Sequence, residues 1–492
     1  MKKNKFFTSI LTITLFLLFV GDTGYSYYQH SLMTLEGDLP AIVVPRKEDK
    51  RVLEDPLAYH VIVKGEKYSN PNRFFAHWSL KTYFEKTCTL FQHFMDPVES
   101  VYFAQTLSKT LIQIMLILLI TVFAFGKFAV FDFRFWGAVC LVFPLFQTFG
   151  SYRAMAIIDA SVTYTFFYAL PIIFLIIYFM PLFMKYFWEK KISRYEIIIK
   201  ILWVPLGIVV CLSGPLNPGI ALIIVFLLFI FYLFQHFSTI NAKSRLKKII
   251  LLIKSIPKDY WYFGLIISIL SLYSLYIGSF NNQFENEQIP VKERFAMLPQ
   301  GIYKTFCSDF CYILLLITIV VNYFLLRFSK AKSSIDLKKL NRVYGWIILF
   351  MVFYILLLPF GGYRDYRPLI IRYDTFIPVN LLFFFLFAFS TLSVIKGFSP
   401  KKNTVYISLI AVILILLTIR DNATTKPSNL REKQWIYRIA ESSQEIIEID
   451  EDITIISWNL FQTPQESDIQ SQFMMKFKIT ETPKYYYHKS FK

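Results

Sequence analysis

The chain is 492 residues long, 55% hydrophobic and only 17% charged, with a mean hydropathy of +0.47. A water-soluble globule of that composition would have to hide more apolar surface than its interior holds, so the sequence excludes one and describes a polytopic membrane protein. The net charge of +18 is distributed beside apolar runs, which points to membrane topology and anionic lipid contact and sets nucleic-acid binding aside.

Apolar runs of roughly the 17 to 25 residues needed to cross a bilayer predict eleven spans. They fall near residues 6–20, 110–125, 136–149, 164–184, 198–213, 219–236, 262–279, 311–327, 344–360, 377–395 and 404–419. The opening MKKNK and FFTSILTITLFLLFV read as an uncleaved anchor over residues 1–20, because Asp22 and the aromatic run YSYY follow it as an interfacial belt would. A secretory leader cut near the small residues Gly24 and Ser26 is the alternative.

Residues 21–109 form a long first segment outside the membrane. It carries Asp22, then LEGDLP with Glu36 and Asp38, VLEDP with Glu54 and Asp55, and NPNRFFAHW with Arg73 and His77. Leu80, Phe84, Cys88, Phe91 and Met95 recur at helical spacing with Lys81, Glu85, Lys86 and Gln92 on other faces. That spacing predicts an amphipathic helix lying in the interface plane. Asp96, Pro97 and Glu99 read as N-cap, first-turn proline and capping-box acid of the helix that leads into the second span.

The bundle of about ten further helices, residues 110–419, has short outer loops. SYRAMAIIDASVTY carries Arg153 and Asp159, NNQFENEQIPVKERF carries Glu293 and Arg294, and GPLNPG is an uncharged turn. GGYRDYRPLIIRYDT, residues 361–375, sets Arg364, Arg367, Arg372 and Asp374 among Tyr363, Tyr366 and Tyr373, more cation and aromatic than anchoring requires. The tail, 420–492, reads as a small α/β cap: an amphipathic helix near 429–444, then strand-like EIIEI and ITIISW around an acidic turn. The five cysteines match no metal site or redox pair, and Cys307 and Cys311, four apart on one helix face, are poorly placed for a disulfide.

With the N-terminus in the cytoplasm and sides alternating, the cytoplasmic segments hold 25 of the 52 basic residues and five of the 34 acidic ones. That strong excess is what the positive-inside rule demands. It places 21–109, 361–375 and the tail together on the extracytoplasmic face. The apolar centres of the spans hold essentially no Asp, Glu, Lys or Arg, where transporters keep coupling residues.

Arginines and carboxylates at an outer membrane face suit sugar transfer from a polyisoprenyl phosphate. The guanidinium fork binds phosphate oxygens, and a carboxylate takes the proton of the acceptor hydroxyl. The N-in first helix, the acid just after it (Asp22), the interfacial helices of a long first outer segment, the eleven or so spans and the small outer C-terminal part resemble the GT-C class of membrane glycosyltransferases. Just after the first span the chain has no DxD and no adjacent Asp-Asp or Asp-Glu; Glu54-Asp55 comes nearest. The resemblance implies an all-α, GT-C-like fold of about eleven transmembrane helices. It implies Asp22 as catalytic base with Asp55 as runner-up, and leaves open whether a divalent cation is a cofactor. Arg364, Arg367, Arg372 and Asp374, joined by Arg153, Asp159, Arg73 and His77, are the expected substrate-binding set, with a lipid-linked sugar donor and anionic lipids as partners.

Plainer readings stand beside these. Asp22 is then the first polar residue past a helix, Glu54-Asp55 a solvated turn, Arg153 and Asp159 a structural ion pair, and the arginine cluster a site for generic headgroups. A polysaccharide polymerase or ligase, a lipid-linked glycan flippase and a noncatalytic subunit of an envelope complex are the rival functions. Abundant Lys, Ile, Phe and Asn suggest an AT-rich bacterial genome and hence the plasma membrane.

Overall fold

Long apolar stretches with no water to satisfy their backbone groups close their hydrogen bonds internally, so each becomes a helix. The structure, a computed structural model, describes residues 2–47, 49–148, 155–190, 196–237, 239–240, 244–284, 289–307, 309–328, 337–361, 369–421 and 429–489. In chain order the helices are α1 (Lys2–Ser31), α2 (Asp38–Val43), α3 (Arg51–Glu54), α4 (Tyr59–Lys64), α5 (Phe74–Phe91), α6 (Pro97–Phe125) and α7 (Phe133–Val142). Then come α8 (Val162–Tyr186), α9 (Glu196–Cys211), α10 (Leu216–His236), α11 (Arg245–Ser255), α12 (Lys258–Gly278) and α13 (Val291–Cys307). The last are α14 (Phe310–Phe328), α15 (Leu337–Leu357), α16 (Tyr373–Gly397), α17 (Pro400–Arg420), α18 (Asn429–Glu441) and α19 (Asp468–Lys476).

Among the described residues nine helices (α1, α6, α8, α10, α12, α14, α15, α16 and α17) are long and apolar enough to cross a membrane. The chain is a helical multi-pass membrane protein. Two of the eleven expected spans, near 136–149 and 198–213, form the shorter apolar helices Phe133–Leu145 and Lys200–Cys211. In the first, Pro144 interrupts the α-helical ladder and the chain tightens into the 3₁₀ turn Phe143–Leu145.

Helix α16 is the centre of the bundle, with 89% of its most apolar window buried against 6% for α1. Polar groups along it bond to neighbouring helices. Asn380 accepts from the Tyr312 hydroxyl at 2.9 Å, and Asn322 of α14 donates to Ser390 and Thr391 at 3.0 and 3.1 Å. Tyr406 of α17 completes the chain by donating to Asn322 at 2.7 Å. Such bonds hold helices together where lipid removes the hydrophobic driving force.

Two corrections follow for charge. Helix α1 does not stop near residue 20 but runs on to Ser31, so Asp22 and the YSYY run lie inside it. Lys109, reckoned part of the outer segment, lies within α6 and is fully buried, its ammonium donating to the Ala160 carbonyl.

Side-chain contacts sort the loops onto two ends of the bundle. At one end Lys185 pairs with Asp259, Lys200 lies 3.9 Å from the same carboxylate, and Lys339 sits over the Phe187 ring at 4.3 Å. At the other end the segment between α1 and α6 meets Asn281 and Gln283 through Asn70, while Asp421 holds Thr148. The C-terminal cap docks at this second end. Lys433 reaches both carboxylate oxygens of Glu99 at 2.7 and 2.8 Å, and Lys476 pairs with Glu85. Asp96 caps α6 as expected, accepting from Val98 and Glu99. Glu99, expected to close a capping box, is turned to Lys433 instead, because an ammonium outcompetes a neutral N–H for a carboxylate.

In the cap, β1 (Ile446–Ile449) pairs in parallel with β2 (Tyr485–His488), Ile446 opposite Tyr485. The expected second strand, ITIISW, is irregular. Its backbone is satisfied by side chains: Glu432 accepts from Ile456 N–H, Gln470 donates to Ile456 carbonyl and Tyr486 donates to Ile455 carbonyl. Ile456 takes a left-handed φ of 48°, which no strand allows.

One close approach ties the outer segment to the bundle. Asn72, just before α5, donates to the Ser274 carbonyl at 3.2 Å, and a Cβ on Gly278 would stand 2.5 Å from its amide nitrogen. Gly278→Ala is expected to cost about 1–3 kcal/mol by overpacking, read as a lower thermal midpoint in detergent micelles. An unchanged midpoint would mean that Asn72 moves aside freely.

Candidate functional site: a cleft between the first outer segment and the bundle

Where α2, α3 and α5 meet the ends of α8, α10 and α15, a cleft of about 690 Å³ opens. Its polar lining includes Asp38, Asp49, Arg73, His77, Tyr164, Tyr168 and Arg372. The remaining wall is largely apolar, from Leu216, Leu222 and Ile223 of α10 and Tyr354 and Leu357 of α15.

The acid side is built on Glu36. This buried carboxylate accepts the backbone N–H groups of Asp38 and Leu39 at 2.8 and 3.1 Å, which starts α2 with Pro40 in its first turn. Its other oxygen accepts from Thr163 N–H at 3.1 Å, tying the start of α2 to the start of α8. Burial and the neighbouring Asp38 charge push the Glu36 carboxyl up, against the backbone donors that favour its ionised form. Behind the pair lies Lys109, whose ammonium interacts with both Glu36 and Asp159. Buried Glu36 thus retains its proton more readily than a free carboxyl, and Asp38 stands beside it at the cleft wall.

The aromatic side lies where α8 widens into a π-helical turn over Thr165–Ala169, a feature that redirects side chains and recurs at functional sites. Phe167 and Tyr168 come from this turn, and the Arg73 guanidinium carbon lies 5.3 and 5.9 Å from their ring centroids. His77, one turn along α5, bonds through Nδ1 to the Arg73 carbonyl at 2.9 Å and packs 4.8 Å from the Phe167 ring. Burial pushes this imidazole down to about 4, the nearby Arg73 charge adding to the effect and the carbonyl bond opposing it. At neutral pH His77 is therefore uncharged.

On the third side Arg372 immediately precedes α16. Its backbone N–H donates to Thr375 Oγ1 and its Nε lies 3.4 Å from Asp374. Arg294 holds the approach to this segment by donating to the Gly361 carbonyl at 2.7 Å. The cap closes the acid side from outside: Trp458 lies so close to Gly37 that a Cβ there would stand 3.0 Å from the indole ring.

Of the residues singled out from the sequence, Arg73, His77 and Arg372 come together in this cleft, and Asp374 stands behind Arg372. Asp159 lies beside it, accepting from Ser161 N–H at 2.8 Å. Arg153, Arg364 and Arg367 fall outside the described residues. Asp22 lies on α1 and does not line the cleft. Asp55 does not line it either; its oxygens accept from Tyr59 and His60 N–H at 2.8 and 2.9 Å and organise the start of α4. Burial pushes the Asp55 carboxyl up, but these donors and the His60 ring outweigh it and leave the group below its ordinary value.

Asp38 and Asp49 are the acids that sequence reasoning passed over as site residues. The signal for Asp38 was there: a glutamate, glycine, acid and then proline mark a capped helix start, placing that carboxylate at a fixed spot rather than in a loose turn. Among the described residues no three His, Cys, Asp or Glu side chains gather in a group that could hold a metal ion. Comparison of the chain with family models, with curated proteins and with solved structures finds no match.

Proposed function

We propose that the chain is a membrane glycosyltransferase of GT-C type, moving a sugar from a polyisoprenyl-phosphate donor to an acceptor hydroxyl at the face that carries the cleft. That face is the extracytoplasmic one by the charge asymmetry, and the membrane is the bacterial plasma membrane. The observation that carries the reading is the meeting of two arginines, Arg73 and Arg372, with the acids Asp38 and Asp49 in one cleft walled by apolar helix ends.

The chemistry balances in a single displacement. The acceptor oxygen attacks the anomeric carbon, the bond from that carbon to the phosphate oxygen breaks, and the phosphate leaves with the electron pair. Arg73 and Arg372 neutralise the developing phosphate charge. Asp38 takes the proton from the acceptor hydroxyl. Tyr164, Tyr168 and Phe167 offer faces for a sugar ring, and the apolar ends of α10 and α15 receive the first isoprene units.

The test uses the full chain in neutral detergent with farnesyl phosphate as probe. Binding is expected, with Arg73→Gln and Arg372→Gln each weakening it by roughly 10- to 100-fold, the worth of a hydrogen bond to a charged group. A panel of farnesyl-phosphate hexoses should then release farnesyl phosphate when membrane extract supplies acceptors. Wild-type-like binding by both arginine variants would overturn the assignment of the cleft.

A further inference from the structure

A second cavity, of about 640 Å³, lies deeper in the bundle among α6, α8, α10, α15 and α16, within the size range of specific ligand sites. Helices α10 and α15 line both spaces at different heights. Ile223 and Tyr354 face the cleft, whereas Leu228 and Phe350 line the cavity. Its walls are apolar over most of their extent, and its polar residues gather at the end away from the cleft: Tyr232, His236, Tyr260 and Arg342.

That mouth is cationic. Among the described residues no acid lines the cavity and no carboxylate pairs with Arg342. Asp259, at the same end, is taken up by Lys185 and Lys200. The surrounding surface adds Lys339 and the amphipathic helix α11, whose Leu246, Ile249 and Ile250 are exposed alongside Arg245, Lys247 and Lys248. Such a surface concentrates anionic lipid in the adjoining leaflet.

We propose that this cavity is a binding site for an anionic membrane phospholipid of the leaflet opposite the cleft, its phosphate on Arg342 and an acyl chain among the side chains of α10 and α15. An apolar chain fills the walls, and an anion at the mouth supplies the charge that Arg342 lacks. The site is independent of the transfer reading, since none of its described residues lines the cleft.

The test reconstitutes the full chain in vesicles of equal parts phosphatidylglycerol and phosphatidylcholine and counts the lipids kept on release into the gas phase by native mass spectrometry. The wild type should retain phosphatidylglycerol preferentially. Arg342→Gln should lower that preference about fivefold, the effect of one cation at a membrane surface, while Arg342→Lys keeps most of it. Leu228→Trp, which fills the cavity, should lower retention of both lipids. An unchanged preference in Arg342→Gln, or full retention in Leu228→Trp, would overturn the site. Soluble glycerophosphate competing as well as the intact lipid would also overturn it, because the chain would then contribute nothing.

Discussion

Glu432→Ala is expected to loosen the C-terminal cap from the bundle, at a cost of about 3–5 kcal/mol. The Glu432 carboxylate is fully buried and accepts three bonds: Leu35 N–H at 3.0 Å, Ile456 N–H at 2.8 Å and the Tyr102 hydroxyl at 2.7 Å. Removing it leaves three buried donors without an acceptor, each carrying its own desolvation penalty. Glu432→Gln keeps one oxygen for Leu35 and Tyr102 and presents its NH₂ to Ile456, so it should cost about 1–3 kcal/mol, the penalty of one unmet donor.

The same group makes cap docking depend on pH. Burial pushes the Glu432 carboxyl up to about 7 from an ordinary 4.5, against the bonds that favour its charge. Because the docked-state value is the higher one, the stabilisation is fully present below about pH 4.5 and is lost as pH rises through about 7. The loss is on the order of 3 kcal/mol. His77 acts in the other sense: with a folded value near 4 against 6.5, it destabilises as pH falls through that window. Limited proteolysis of the cap at pH 6 and pH 8 separates the two, since His77 lies outside the cap. Faster cleavage at the higher pH in wild type, and no pH difference in Glu432→Gln, are the expected results; equal rates in wild type would refute the coupling.

Asp38→Asn is expected to reduce transfer by about 10²- to 10⁴-fold, the usual worth of a positioned general base, with farnesyl phosphate binding unchanged. Asparagine keeps the size and the place on α2 but cannot take the acceptor proton. Asp22→Asn, on a helix away from the cleft, should retain turnover. Asp55→Asn should lower stability, because its oxygens hold the start of α4. Turnover measured for the three variants discriminates: full activity in Asp38→Asn alongside an inactive Asp22→Asn would move the base to α1.

The helices were legible in the sequence because hydropathy is a local property, and ten to twenty apolar residues have few other ways to fold in lipid. The amphipathic pattern of Leu80, Phe84 and Cys88 was equally readable, and all three are buried on α5. Pairings were not. The strand partner of EIIEI is chosen by parallel register with a segment near residue 485, and no short-range pattern announces such a partner. Asp22 falls outside the cleft for a related reason. Asp22 was judged by its distance from an apolar run, but α1 continues past it to Ser31, and the carboxylate that reaches the cleft is held there by Glu36 and the start of α8. Convergence of Arg73 with Arg372 on one cleft is a tertiary fact that no local pattern announces.

The docked cap also has a temporal meaning. Leu35 and Glu432 stand 397 positions apart, yet the loop that fixes Asp38 leans on Glu432 and on the Trp458 indole. A ribosome delivers the two halves of that contact far apart in time. The nascent chain can insert its helices one after another, but the acid-bearing wall reaches its final position only when the cap emerges and seats, so the site is assembled last.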